Sequence, residues 1–213
     1  MNTNIKYTNQ DGNYITSQQV ANLKFFNKEF FYNNELKMVQ KYGSKGRTNN
    51  IILKGGDYYL SSDENLETII NQYASTGNYW TFFYNNQSNN LGDSYWEYLF
   101  YNKGELETKG VKVFNSEKLL IASCTIDLKT NEMDDQRKYF YGDLNIYKRN
   151  EYEYPFLSVF YDENNDVRDI YIYDDDYQSV DEFLSSDNAR YFNWISHPYF
   201  HNFAPMLPIS SIV

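Results

Sequence analysis

The sequence predicts an α+β fold: a twisted antiparallel sheet of roughly seven to ten strands, joined as meander hairpins, with a few short helices packed on one side or end. Three observations carry this expectation. Aromatic content is high, with 23 Tyr and 15 Phe among 213 residues, and both types favour half-buried pleated surfaces. From Tyr79 to Tyr173 short alternating runs and turn clusters follow one another at about ten-residue spacing, as in a meander. A few short stretches carry helix-capping patterns instead. The length is enough for one sizeable core, so residues 1–213 are expected to form a single domain, with a soft boundary near 86–93.

Each element has its own signal. Thr16-Ser17-Gln18-Gln19 fits a capping box and opens a short helix whose Val20 and Leu23 share a face. Aromatics then crowd too densely for a helical stripe, and a strand is expected from about Phe30. Asn33-Asn34 suits a tight turn because Asn tolerates positive φ, and Leu36 and Met38 alternate with Lys37, Val39 and Lys41 on the return strand. Ile51 to Leu60 reads as a hairpin around Gly55-Gly56. Ser61-x-x-Glu64 reads as the cap of a helix over Ser62 to Ala74, with Leu66, Ile69, Ile70, Tyr73 and Ala74 on one stripe.

The strands that follow are read at Tyr79–Tyr84, Ser94–Tyr101, Glu105–Phe114, Lys118–Leu128, Lys138–Tyr147, Phe156–Tyr161 and Val167–Tyr173. Polar loops are read at Asn85 to Asp93, Met133 to Gln136 and Asp162 to Asp166. Ser179-Val180-Asp181-Glu182 is another capping box, and a further helical turn from Asp187 must stop before Pro198. The tail from Phe200 to Val213 is apolar and is expected to pack back on the sheet.

Charge is unevenly spread. Residues 1–60 hold 8 basic and 4 acidic residues, 61–150 hold 9 and 13, and 151–213 hold 2 and 12. The acidic end repels nucleic acid and anionic membranes and attracts basic partners. No apolar stretch approaches the roughly 20 residues that span a bilayer, so no membrane is expected. The N-terminus lacks an apolar signal core, and a cytoplasmic setting is expected.

No cofactor is expected. Cys124 is the single cysteine and lies in an apolar run, which suits an inert buried thiol. Gly43-Ser44-Lys45-Gly46-Arg47 lacks P-loop spacing. His197 and His201 have metal-ligand spacing only on a continuous helix, and Pro198 lies between them. Asp162 to Asp166 begins like a calcium loop, but Val167 and Tyr173 stand where Gly and Glu are required. No metal site is expected, and no nucleophile elbow is present.

An aromatic pair recurs before turn-forming residues, at Phe31-Tyr32, Phe83-Tyr84, Phe100-Tyr101, Phe140-Tyr141 and Phe160-Tyr161. Three of these open the segments FYNNELKMVQKY, FYNKGELETKGVKVF and FYDENNDVRDIYIYD. This unit resembles the hairpin of MORN-like repeats found in bacterial antitoxin and immunity proteins. The Asn-x-Gly-x-Leu form occurs only in Phe100 to Leu106, and the unequal spacing of the pairs is not that of a regular array. The resemblance implies a β scaffold used for binding, and no functional residue carries over from it.

The expected function is therefore non-enzymatic protein binding, in the sharper form a bacterial immunity or antitoxin-like inhibitor. Its acidic, Tyr-rich C-terminal region would dock on a basic partner such as a nuclease toxin. Tyr171, Tyr173 and Tyr177 would be the aromatic anchors, and Asp174, Asp175, Asp176 and Asp181 the charges that speed association. The alternatives are a hydrolase using paired carboxylates and a carbohydrate-binding module that stacks sugars on Tyr.

Overall fold

A computed structural model describes residues 3–46, 50–74, 77–142, 155–173 and 177–209. In chain order its elements are β1 (Thr3–Thr8), β2 (Tyr14–Ile15), α1 (Ser17–Val20), β3 (Phe25–Tyr32), β4 (Glu35–Ser44), β5 (Ile51–Tyr59), α2 (Leu66–Tyr73), β6 (Tyr79–Ser88) and β7 (Ser94–Asn102). There follow β8 (Glu105–Phe114), β9 (Leu120–Ile126), β10 (Met133–Phe140), β11 (Leu157–Tyr161), β12 (Val167–Ile172), β13 (Tyr177–Gln178) and α3 (Val180–Ser185). Short 3-10 turns follow at Asp187–Tyr191, Trp194–Ser196 and Pro198–Phe200.

The thirteen strands lie in one open sheet whose order follows the chain, except that β1 sits between β2 and β3. This exceeds the seven to ten strands expected from sequence, and strands dominate the few short helices. The sheet is also mixed: β5 and β6 pair in parallel, with α2 as the connection between them. Parallel neighbours need such a crossover because a hairpin can only return a strand antiparallel. The pairings β1–β2, β1–β3, β3–β4, β4–β5 and every step from β8 to β13 are antiparallel.

The chain divides into two compact units, Met1–Asn85 with Tyr98–Thr108, and Asn86–Glu97 with Lys109–Val213. In the first unit, Leu66, Ile69, Ile70 and Tyr73 of α2 pack on Tyr58, Trp80 and Phe82, and Trp80 and Phe82 are fully buried. In the second unit, Leu157, Val159, Ile170 and Ile172 face Phe183, Phe192, Phe200 and Phe203 from the C-terminal segment. Those four Phe are at most 1% exposed, and burying each contributes about 2 kcal/mol. The apolar tail thus packs on the sheet as expected, as far as Leu207.

Turn chemistry explains the register. Asn33 and Asn34 both have positive φ, as do Lys103 and Gly104, which is the type I′ geometry that suits a two-residue hairpin. A second device recurs four times, at Asn9–Asn13, Asn89–Asp93, Asn115–Leu119 and Asp162–Asp166. The first side chain accepts the N–H of the fifth residue at 2.8–3.0 Å. The fourth residue (Gly12, Gly92, Lys118 or Asn165) is left-handed and donates its N–H to the first carbonyl. The residues that look like a calcium loop, Asp162 to Asp166, form one of these Asx-headed turns.

The capping boxes at Thr16–Gln19 and Ser179–Glu182 are both formed. Several boundaries differ from expectation. The strand expected from about Phe30 starts at Phe25 and pairs with β4 along its length. Helix α2 starts at Leu66 under an Asn65 cap, not under Ser61. Glu64 is drawn away instead, taking Lys37 and Tyr58 as partners while its Oε2 accepts the Ser61 N–H at 2.8 Å. Residues 51–59 form a single strand and not a hairpin. A Cβ on Gly55 would lie 1.7 Å from the Tyr79 carbonyl oxygen, and one on Gly56 2.1 Å from that of Val39, so the glycines admit neighbouring backbones. Met133 to Gln136, read as a loop, begins β10. The end of the strand expected to run to Tyr147 lies outside the described residues.

Candidate functional site

In β10 to β13 of the second unit, alternation separates two faces. Lys138, Val159, Ile170 and Gln178 lie side by side on the face covered by the C-terminal segment. The other face carries two cross-strand rows, Arg137–Phe160–Asp169 and Tyr139–Ser158–Tyr171–Tyr177. Tyr177 is 61% exposed, and its ring lies 5.0 Å from Tyr171 and 5.3 Å from Phe160. The Arg137 guanidinium lies 4.8 Å over Phe160 and pairs with Asp135. Burial acts to lower the Arg137 pKa, but Asp135 raises it further, to a net value above its ordinary one.

The structure thus brings Tyr171 and Tyr177 together, while Tyr173 stands just past β12, its N–H donated to the Phe156 carbonyl. Asp181 is exposed in the first turn of α3. Asp174, Asp175 and Asp176 lie outside the described residues. Phe160 and Arg137, which complete the aromatic cluster, were not among the expected site residues. The register of β11 against β10 and β12 brings them in, and the aromatic pair at Phe160-Tyr161 was the sequence signal for it.

A cleft of about 420 Å³ opens beside this face. It is lined by Asp127, Glu132, Asp134, Asp135, Asp162 and Glu163, with Thr130, Met133, Gln136, Phe160, Tyr161 and the cationic Arg168. Two β-bulges shape it. Asp134 pairs with Thr125 and Arg137 with Ser123, which leaves Asp135 and Gln136 opposite one residue. Phe160 pairs with Asp169 and Tyr161 with Val167, which leaves Arg168 as the extra residue. Asp135 takes a left-handed backbone at φ 49°. Bulges of this kind re-aim side chains and end pairing locally.

The carboxylates of the cleft are not equivalent. Asp127 accepts the N–H groups of Thr130 and Lys129, which hold its pKa below the ordinary value. Asp162 accepts those of Asn164 and Asp166. Glu132 and Glu163 have no side-chain hydrogen bond to any described residue. Gln136 is 5% exposed, and its Oε1 has no hydrogen-bond partner among the described residues.

Elsewhere, His197 Nδ1 lies 2.7 Å from the Asn193 carbonyl oxygen, and His201 Nε2 lies 2.8 Å from that of Trp194. The rings stack on Phe192 and Trp194 respectively. Among the described residues no group of three or more His, Cys, Asp or Glu is placed to hold a metal ion. Cys124 is buried, and burial pushes its thiol up to about 11, away from thiolate reactivity. No helix of the described residues is long and apolar enough to cross a membrane. Comparison of the chain with protein-family models, with curated proteins and with solved structures gives no match in any of the three.

Proposed function

We propose that this chain is a non-enzymatic binding protein that receives a basic protein on the acidic, aromatic face of its second unit. In the sharper form it is a cytoplasmic inhibitor of the bacterial immunity or antitoxin type, and its partner is a basic enzyme such as a nuclease toxin. One observation carries the reading: Tyr177, 61% exposed, stands beside Tyr171 and Phe160 on the face that the C-terminal segment leaves open. A held aromatic side chain loses little rotamer entropy on binding, so it is suited to anchor a partner. Residues 151–213 supply the electrostatic attraction, with 12 acidic against 2 basic residues.

The test is capture of a basic partner from the native cell, followed by measured affinity for wild type and two variants. Tyr177→Ala is expected to weaken binding roughly tenfold or more, as loss of an anchor does. Asp181→Asn together with Asp174→Asn, Asp175→Asn and Asp176→Asn is expected to slow association and flatten its salt dependence, with little change in dissociation. Capture of no basic protein, or unchanged affinity on Tyr177→Ala, removes the reading.

A second reading, a hydrolase with paired carboxylates, is favoured by the concave cleft and its six acidic residues. Asp127 and Asp162 are tied to turn amides, however, and the lowered pKa of Asp127 is the reverse of what a general acid needs. Glycoside or phosphoester turnover that disappears on Glu132→Gln or Glu163→Gln would establish this reading in place of the first.

A further inference from the structure

We propose that Tyr171 and Tyr177 form an oxidative cross-linking site, at which peroxide joins the two phenol rings through a carbon–carbon bond and staples β13 to β12. Three observations select this pair. The two residues are direct cross-strand partners, which sets their side chains next to each other on one face of the sheet. Their ring centroids lie 5.0 Å apart at an interplanar angle of 44°, within the range of rings in contact. Tyr177 is 61% exposed, so an oxidant reaches it from solvent.

Other aromatic residues meet only part of this requirement. Tyr58 and Tyr73 are also neighbours, with centroids 5.4 Å apart, but Tyr58 is 7% exposed and its hydroxyl donates to Glu64 at 2.7 Å. Tyr14 is as exposed as Tyr177, but it stands opposite Thr8 and carries the Lys6 ammonium over its ring. Phe160 lies 5.3 Å from Tyr177 and has no hydroxyl from which a phenoxyl radical can form.

The oxidant is hydrogen peroxide acting through a haem peroxidase, which removes one electron at a time. Tyr177 gives an electron to the haem and its hydroxyl proton to water, and becomes a phenoxyl radical. Tyr171 then passes an electron across the ring contact and its own proton to water, while Tyr177 takes a proton back. A second oxidation makes Tyr177 a radical again. The two radicals join at the carbons next to their C–O bonds, and each of those carbons returns its hydrogen to the phenol oxygen. In sum, two C–H bonds are replaced by one C–C bond, and the peroxide leaves as two waters. Strand β13 is paired to β12 through two residue pairs alone, so the new bond adds a covalent rung to a short edge. It needs no partner, and forms whether or not a basic protein docks on this face.

The experiment treats the whole chain, at high dilution, with a haem peroxidase and hydrogen peroxide. Dityrosine fluorescence, gel mobility and tryptic mass spectra are then measured. Cleavage after Arg168 and Arg190 leaves both residues in one peptide, 169–190. Fluorescence is expected in the monomer band, and peptide 169–190 is expected to be lighter by two hydrogens, with no fragment ions from cleavage between residues 171 and 177. Tyr171→Phe and Tyr177→Phe keep a ring in place and should each abolish the signal. Tyr173→Phe, in the same peptide, and Tyr14→Phe should leave it unchanged. Three results would overturn the assignment: fluorescence confined to a dimer band, fluorescence that persists in Tyr177→Phe, or none under conditions that couple free tyrosine.

Discussion

Lys138 is 0% exposed in the middle of β10, on the face that packs against the C-terminal segment. Its ammonium donates to the carbonyls of Tyr199, Asn202 and Pro205 at 2.6, 2.8 and 2.9 Å, and it lies 3.6 Å over the Tyr199 ring. Burial pulls its pKa down, to about 7. The three carbonyls favour the charged form and act against that pull, and an ammonium has one N–H for each of them. Lys138→Met keeps the stem but strands three acceptors, and is expected to cost about 3–5 kcal/mol in urea unfolding. A loss below about 1 kcal/mol would show that the segment is held by its Phe side chains alone. This role was not legible in sequence. Alternation places a strand lysine outward by default, and its acceptors lie 61 to 67 residues further along the chain. Tyr171 and Tyr177 were legible, since their density in an acidic stretch needs no register to be noticed.

Elements form where local chemistry is sufficient, and here most of that chemistry lies in the turns. The recurrence noticed in sequence was the aromatic pair, yet the unit that repeats in space is the Asx-headed turn with a left-handed fourth residue. Its copies read NQDGN, NNLGD, NSEKL and DENND. They share only a leading Asn or Asp and a fourth residue held left-handed, which is too little for an alignment. The strands between them were placed well where a turn flanked each end, as at Glu105–Phe114. Gly55-Gly56 was misread because paired glycines signal a turn as readily as a close backbone approach. The two cases separate by mutation. Gly55→Ala would drive a Cβ to within 1.7 Å of the Tyr79 carbonyl oxygen, and is expected to cost more than about 2 kcal/mol. Gly12→Ala meets nothing within 4 Å and strains only φ +79, so about 1 kcal/mol is expected. Urea unfolding followed by tryptophan fluorescence compares the first variant with wild type. A loss no larger than that of Gly12→Ala would mean that β5 and β6 can part without penalty.

At the scale of the whole chain, the aromatic richness visible in the composition sets an alkaline limit to stability. Burial raises the phenol pKa of Tyr58 and Tyr59 in the first unit and of Tyr161 and Tyr199 in the second, in every case as the largest cause. Tyr161 and Tyr199 also donate their hydroxyls to the carbonyls of Phe200 and Met206, which ionisation would end. The sign follows from proton counting. Below the ordinary phenol value of about 10 these groups are protonated in both states, and their contribution is complete. Above it the unfolded chain releases protons that the folded chain retains, so stability falls as pH rises. The net charge of −10 at pH 7 grows more negative over the same range and adds self-repulsion. Tyr14 and Tyr177, by contrast, are 64% and 61% exposed. Two phases are therefore expected when tyrosinate absorbance and far-ultraviolet circular dichroism are followed together from neutral to strongly alkaline pH. The first phase, near pH 10, changes absorbance alone. The second lies at higher pH, and there ionisation and loss of sheet signal coincide. One absorbance step near pH 10 that includes all tyrosines, with the sheet intact, would mean that the buried phenols are not held by the fold. Tyr161→Phe removes one of the four groups and leaves Phe200 without that donor. It should lower stability near neutral pH while making the alkaline decline shallower, a pairing that loss of packing alone would not produce.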